Sequence, residues 1–81
     1  MKTSGDILPM GFKEEDNVIY GISEGGLFHI VLNRPQKKNA LSGGMSSKIV
    51  QLLEQASNKK DVKIVLFYGA GDFFSAGNDV S

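Results

Sequence analysis

Two apolar runs, residues 27–32 and 63–68, flank a stretch in which Leu41, Met45, Ile49, Leu52, Leu53 and Ala56 recur at helical spacing. No other feature constrains the chain as much. In the first run Leu27, His29 and Val31 face one way and Phe28, Ile30 and Leu32 the other. Both faces are largely apolar, so cover on both sides is expected. A short, continuous apolar run directly after a helix is the pattern of a buried parallel strand. Strand, helix and strand in this order make a βαβ unit, with a right-handed crossover. The fold class is therefore α/β.

Local signals extend the unit on both sides. Residues 17–24 (NVIYGISE) are rich in β-formers, and Gly25-Gly26 separates them from the first apolar run, which predicts a hairpin. Residues 1–16 are polar, with glycines, one proline and the cluster Glu14-Glu15-Asp16, and are expected to form a flexible leader ahead of a domain spanning 17–81. Asn33-Arg34-Pro35 ends the strand, because proline fixes its own φ and pushes the preceding residue out of the α region. The helix is expected over 41–58 with Ser42 as N-cap. Gly43 and Gly44 weaken its first turn by about 1 kcal/mol each relative to alanine. Asn58-Lys59-Lys60 puts cations where the helix dipole favours them. His29 reads as a structural residue, at a sheet edge or partly covered.

Composition excludes several functions. The 81 residues carry 9 basic and 9 acidic side chains, so bulk electrostatics gives no reason to expect nucleic-acid or membrane-surface binding. There is no cysteine, which removes disulfides and thiolate metal sites, and a single histidine argues against a histidine-based metal cluster. The apolar runs fall far short of the ~20 residues of a membrane helix. No basic segment followed by an apolar one marks a secretory signal.

Both strand-to-helix junctions fall at the carboxyl ends of strands, where ligands of open α/β sheets bind. Gly69-Ala70-Gly71 does not begin a dinucleotide fingerprint, because the third glycine position falls on Phe74. Lys37-Lys38-Asn39-Ala40 reads from its residues as a solvated basic loop, with phosphate binding as the sharper alternative. Residues Ser75-Ala76-Gly77-Asn78-Asp79 allow two readings that composition leaves open. One is a turn with helix caps at Asn78 or Asp79; the other is a small-residue turn where a ligand approaches the backbone.

Taken together, Asn33-Arg34-Pro35, Lys38-Asn39-Ala40-Leu41 and Gly71-Asp72-Phe73-Phe74-Ser75-Ala76-Gly77-Asn78-Asp79 resemble the N-terminal part of the crotonase superfamily, the enoyl-CoA hydratases and isomerases. The SAGND form and the NRPxKKNAL stretch are most similar to the peroxisomal Δ3,Δ2-enoyl-CoA isomerase branch. The resemblance covers roughly residues 18–81 and implies an incomplete ββα spiral: hairpin, helix, buried parallel strand, and a turn into a second helix.

The resemblance also implies an acyl-CoA site lined by Asn39 and Ala40 and by Ser75, Ala76, Gly77 and Asp79, with backbone contacts from Ala40 and Ala76 to CoA. Lys37 or Lys38 would lie near the CoA phosphates. The backbone N–H of Asn78 would be the first oxyanion-hole donor for a thioester enolate. Coenzyme A enters as part of a fatty acyl-CoA substrate, and no separate cofactor is implied. Family members are usually trimeric and are found in peroxisomes or mitochondria, but the ending Asp79-Val80-Ser81 is not a peroxisomal tripeptide. The second oxyanion donor and the catalytic glutamate of the family lie downstream of these motifs.

Two functions follow as expectations. The chain is part of an isomerase or hydratase of unsaturated fatty acid β-oxidation, inactive alone. Alternatively, it is a non-catalytic product that binds acyl-CoA or a partner through exposed sheet edges.

Overall fold

The computed structural model describes residues 11–71, 74, 75 and 77. It contains a four-stranded sheet in the order β1-β2-β3-β4, with β1 at Lys13–Glu15, β2 at Val18–Ser23, β3 at Leu27–Leu32 and β4 at Ile64–Gly69. The first two pairings are antiparallel and β3–β4 is parallel. Helix α1, Gly43–Ser57, makes the crossover. The α/β class, the hairpin and the strand–helix–parallel strand order are as the sequence implies.

Strand β1 corrects the leader boundary at 16/17: the sheet begins at Lys13, within the stretch read as a flexible leader. Lys13, Glu14 and Glu15 carry no apolar alternation, so their strand pairing leaves no periodic trace. Asp16 and Asn17 supply the connection, with φ of 53° and 62°. Two left-handed residues between paired Glu15 and Val18 form a type I′ hairpin turn, for which Asp and Asn are among the few suitable non-glycine residues.

The β2–β3 hairpin turns through Glu24-Gly25-Gly26, with Ser23 opposite Leu27. Gly26, at φ 78°, is required twice over. A Cβ there would lie 2.4 Å from the Asp61 carbonyl oxygen, and its own carbonyl accepts from the N–H of Lys63 at 2.8 Å and of Ile64 at 3.3 Å. The hairpin tip thus seats the start of β4. Gly21 answers a different need, since a Cβ would sit 2.3 Å from the ring of Phe12, which lies over it.

The helix starts two residues later than its periodicity suggests, because Ser42 is extended, with φ −84° and ψ 169°, and the Leu41 N–H before it donates to the Gly77 carbonyl at 2.8 Å. Ser42 is the N-cap, its Oγ accepting from the Met45 N–H at 3.2 Å. Met45, Ile49, Leu52 and Ala56 pack against Val18, Phe28, Ile30 and Leu32 as the main core. Leu53, part of the same apolar series, is exposed. The opposite face of the sheet holds a smaller cluster of Ile19, Val31 and Ala70, with Phe12 and Tyr68 against it.

Strand β4 has the composition of a covered strand, but Ile64 is 53% and Phe67 41% exposed. No strand pairs with its outer side among the described residues. Exposed apolar faces and an open edge are what an incomplete parallel sheet predicts. The expected second helix lies outside the described residues.

Candidate functional site

Strand β3 ends at Leu32, and the loop that follows is tied down by a series of hydrogen bonds. The Asn33 N–H donates to Asn17 O at 2.8 Å, and its side-chain amide donates to Glu14 Oε2 at 2.8 Å. Pro35 then opens a 3₁₀ turn, Pro35–Lys37. Lys38 and Asn39 follow in left-handed backbone, φ 52° and 57°. Two consecutive non-glycine residues in that region cost on the order of 1–2 kcal/mol each. The contacts of Asn39 offset that cost.

Asn39 is completely buried. Its N–H donates to Arg34 O at 2.8 Å, while its Oδ1 accepts from the Arg34 N–H at 2.7 Å. Its Nδ2 donates to the Ala70 carbonyl at 2.8 Å, just past the end of β4. Its own carbonyl accepts from Ser75 Oγ at 3.0 Å. Ser75 Oγ accepts in turn from the Gly77 N–H at 3.0 Å, and Gly77 O accepts from the Leu41 N–H. Arg34 Nη1 donates to Ala40 O at 3.0 Å and ties down the same loop. The first loop and the second turn are therefore adjacent, at the carboxyl ends of two neighbouring parallel strands.

Of the candidate residues, Lys37 and Lys38 are exposed on the first loop, Ala40 and Ser75 are half-buried, and Gly77 is exposed. Ala76, Asn78 and Asp79 lie outside the described residues, and the oxyanion donor assigned to Asn78 lies there with them. Asn39 is on the same loop but fully buried, its carboxamide turned inward onto Arg34 and Ala70. The Ala40 N–H is also engaged, donating to Lys37 O at 2.9 Å. Among the described residues no cluster of His, Asp or Glu could hold a metal, and no helix is long and apolar enough to cross a membrane.

Two polar clusters outside this site were not visible in the sequence. Lys48, nearly buried on α1, donates to Glu15 on β1 and lies 4.7 Å from the centre of the Tyr20 ring, while Tyr20 OH donates to the same carboxylate at 2.9 Å. Hydrogen bonds from Lys48 and Tyr20 hold the Glu15 carboxyl below its ordinary range. The bond to Glu15 raises Lys48, against the opposing effect of burial. Burial, then the bond to Glu15, pushes Tyr20 up. On the other face His29 has Ser23 Oγ 2.8 Å from Nε2 and Tyr68 OH 3.0 Å from Nδ1, with Phe12 at 5.2 Å between ring centroids. His29 is half-buried inside the sheet, consistent with a structural role.

The sequence profile described as enoyl-CoA hydratase/isomerase matches residues 27–81, more than half of the chain. The chain belongs to the enoyl-CoA hydratase/isomerase family. It is 44% identical over 71 residues to rat (Rattus norvegicus) enoyl-CoA delta isomerase 2, covering 88% of this chain and 18% of that protein. It is 44% identical over 66 residues to mouse (Mus musculus) peroxisomal enoyl-CoA delta isomerase 3, covering 82% and 20%. The crystal structure of enoyl-CoA hydratase from Mycobacterium tuberculosis H37Rv superimposes with a TM-score of 0.75 at 31% identity, over 80% of this chain and 29% of that one. The chain thus spans about a fifth of the length of these curated isomerases. What it contributes to the family fold is the sheet, its crossover helix and the clasped pair of loops.

Proposed function

We propose that the loop at 33–41 and the turn at 74–77 form part of a fatty acyl-CoA site, of the enoyl-CoA isomerase or hydratase type. The observation that supports this best is the juxtaposition of the two segments beyond adjacent parallel strands, joined by Leu41 N–H to Gly77 O and Ser75 Oγ to Asn39 O. Lys37 and Lys38 are exposed on the first loop, and one or both are proposed to meet the CoA phosphates. In the complete isomerase reaction a base takes a proton from the α carbon of the 3-enoyl thioester, the thioester oxygen becomes enolate-like, and the dienolate collapses as a proton is returned at the γ carbon. The N–H of Asn78 is proposed to stabilise that oxygen, with a second donor and a glutamate base supplied by chain beyond these residues. The chain alone is proposed to bind acyl-CoA without turning it over. Peroxisomal or mitochondrial β-oxidation is the setting in which such an enzyme works.

The test is titration of the 81-residue chain with octanoyl-CoA and, separately, with octanoate, alongside an isomerase assay on a 3-enoyl-CoA. Binding of the thioester but not the free acid, weakened by joint Lys37→Ala and Lys38→Ala substitution, is expected with a background rate. No binding, or turnover well above background, would overturn the proposal.

A further inference from the structure

Asn39 sits in the proposed site and has no surface to offer a ligand. Its bonds instead reach three segments: Arg34 at the exit of β3, Ala70 at the exit of β4, and Ser75 in the second turn. From Ser75 the connection continues through Gly77 to Leu41, so the two loops are joined in a closed ring of hydrogen bonds. The chemistry at the centre is demanding. One enclosed side chain must accept from an N–H and donate to a carbonyl at the same time, from left-handed backbone. A carboxamide does both, and asparagine tolerates that backbone better than most residues. Leucine, with a similar outline, would leave the Arg34 N–H and the Ala70 carbonyl without this partner. Glutamine adds a methylene to a side chain that has no exposed surface.

We infer that Asn39 is a positioning residue whose carboxamide sets the separation of the two loops, and through it the shape of the ligand site. The effect on ligand binding rests on the acyl-CoA reading above; the clasp itself does not.

Asn39→Asp separates the two. An ionised carboxylate places an acceptor against the Ala70 carbonyl, whereas a protonated one can donate to it as the amide does. Burial raises the pKa of such a carboxyl, while the Arg34 guanidinium in the same loop favours its charged form. At about pH 8 the variant is expected to exchange the Leu41 amide, and to release octanoyl-CoA, about tenfold faster than wild type, as fits the loss of one buried hydrogen bond. At about pH 5 both are expected to return to within about twofold of wild type, which itself shows no such recovery. Unchanged Leu41 protection in Asn39→Asp at both pH values would overturn the inference. So would lost protection with unchanged octanoyl-CoA binding. If wild type fails to bind octanoyl-CoA while the exchange pattern holds, the acyl-CoA reading fails and the clasp stands. Should Asn39→Asp not fold, Ser75→Ala decides: faster exchange at Leu41 with unchanged protection across β2 and β3 supports the ring, and no change at Leu41 refutes it.

Discussion

β1 borders the sheet on one side with three charged, exposed residues, whereas β4 borders it on the other with Ile64, Val65 and Phe67 exposed. The β1 edge is also fastened by side chains, Glu15 to Lys48 and Tyr20, and Glu14 to Asn33. Charged residues on a short edge strand discourage further pairing. Strand β4 is held differently, through its ladder with β3, the Gly26 carbonyl at its start and the Asn39 carboxamide beyond its end. Among the described residues no strand pairs with its outer side, and its apolar side chains stay largely exposed, with Phe74 lying against Phe67 at 5.3 Å between ring centroids. Among the described residues, one border of the sheet is charged and fastened by side chains, and the other is apolar and unpaired.

Substitutions can break this contrast one side at a time. The largest effect is expected from Gly26→Ala, which forces a Cβ against the Asp61 carbonyl in left-handed backbone, a clash that typically costs about 1–3 kcal/mol. Amide exchange should quicken along β4 and stay slow in β2 and β3. Lys48→Ala is expected to cost about 1 kcal/mol, within the usual range for a point substitution. Here the β1 amides should lose protection while β4 keeps its own.

Acid should act on the same side as Lys48→Ala. The Glu15 carboxyl is held below its ordinary value, so its contribution is present above the usual carboxylate pKa, about 4.3, and lost as pH falls through the lowered value. Lys48 is raised, so its contribution persists up to the ordinary lysine range and is lost as pH rises through the raised value. Tyr20 fluorescence and β1 amide shifts followed through both limits should move, with β4 shifts unchanged. The smallest effect is expected from Ile64→Thr on the bare edge, within about 0.5 kcal/mol by thermal or urea unfolding. A large loss there would mean that β4 is covered in solution.

The strand–helix–strand unit was legible because Phe28, Ile30 and Leu32 meet Met45, Ile49 and Leu52 through a pattern of period that a single sequence displays. Strand β1 was not, since Glu15 is fixed by Lys48, 33 residues further on, and no local pattern encodes that partner. Leu41 fits the helical series, yet its N–H belongs to Gly77, and the helix begins after it. The two loops were legible as motifs and as neighbours at one end of the sheet. The inward turn of Asn39 was not, because a polar residue in a loop reads as solvent- or ligand-facing until its backbone conformation is known.

The carbonyl of Gly26 also bears on the order of assembly. Strands β1 to β3 form a meander of neighbours in sequence, whereas the first β3–β4 pair, Leu27 with Ile64, closes a separation of 64 − 27 = 37 residues. Closing the longer loop carries the larger entropy, growing as about 1.5 RT times the logarithm of its length. The meander is therefore the faster event, and the hairpin tip it creates is a ready acceptor for the N–H groups of Lys63 and Ile64 when they arrive. In folding time, the tip of the first hairpin is the docking point that fixes the register of the last strand.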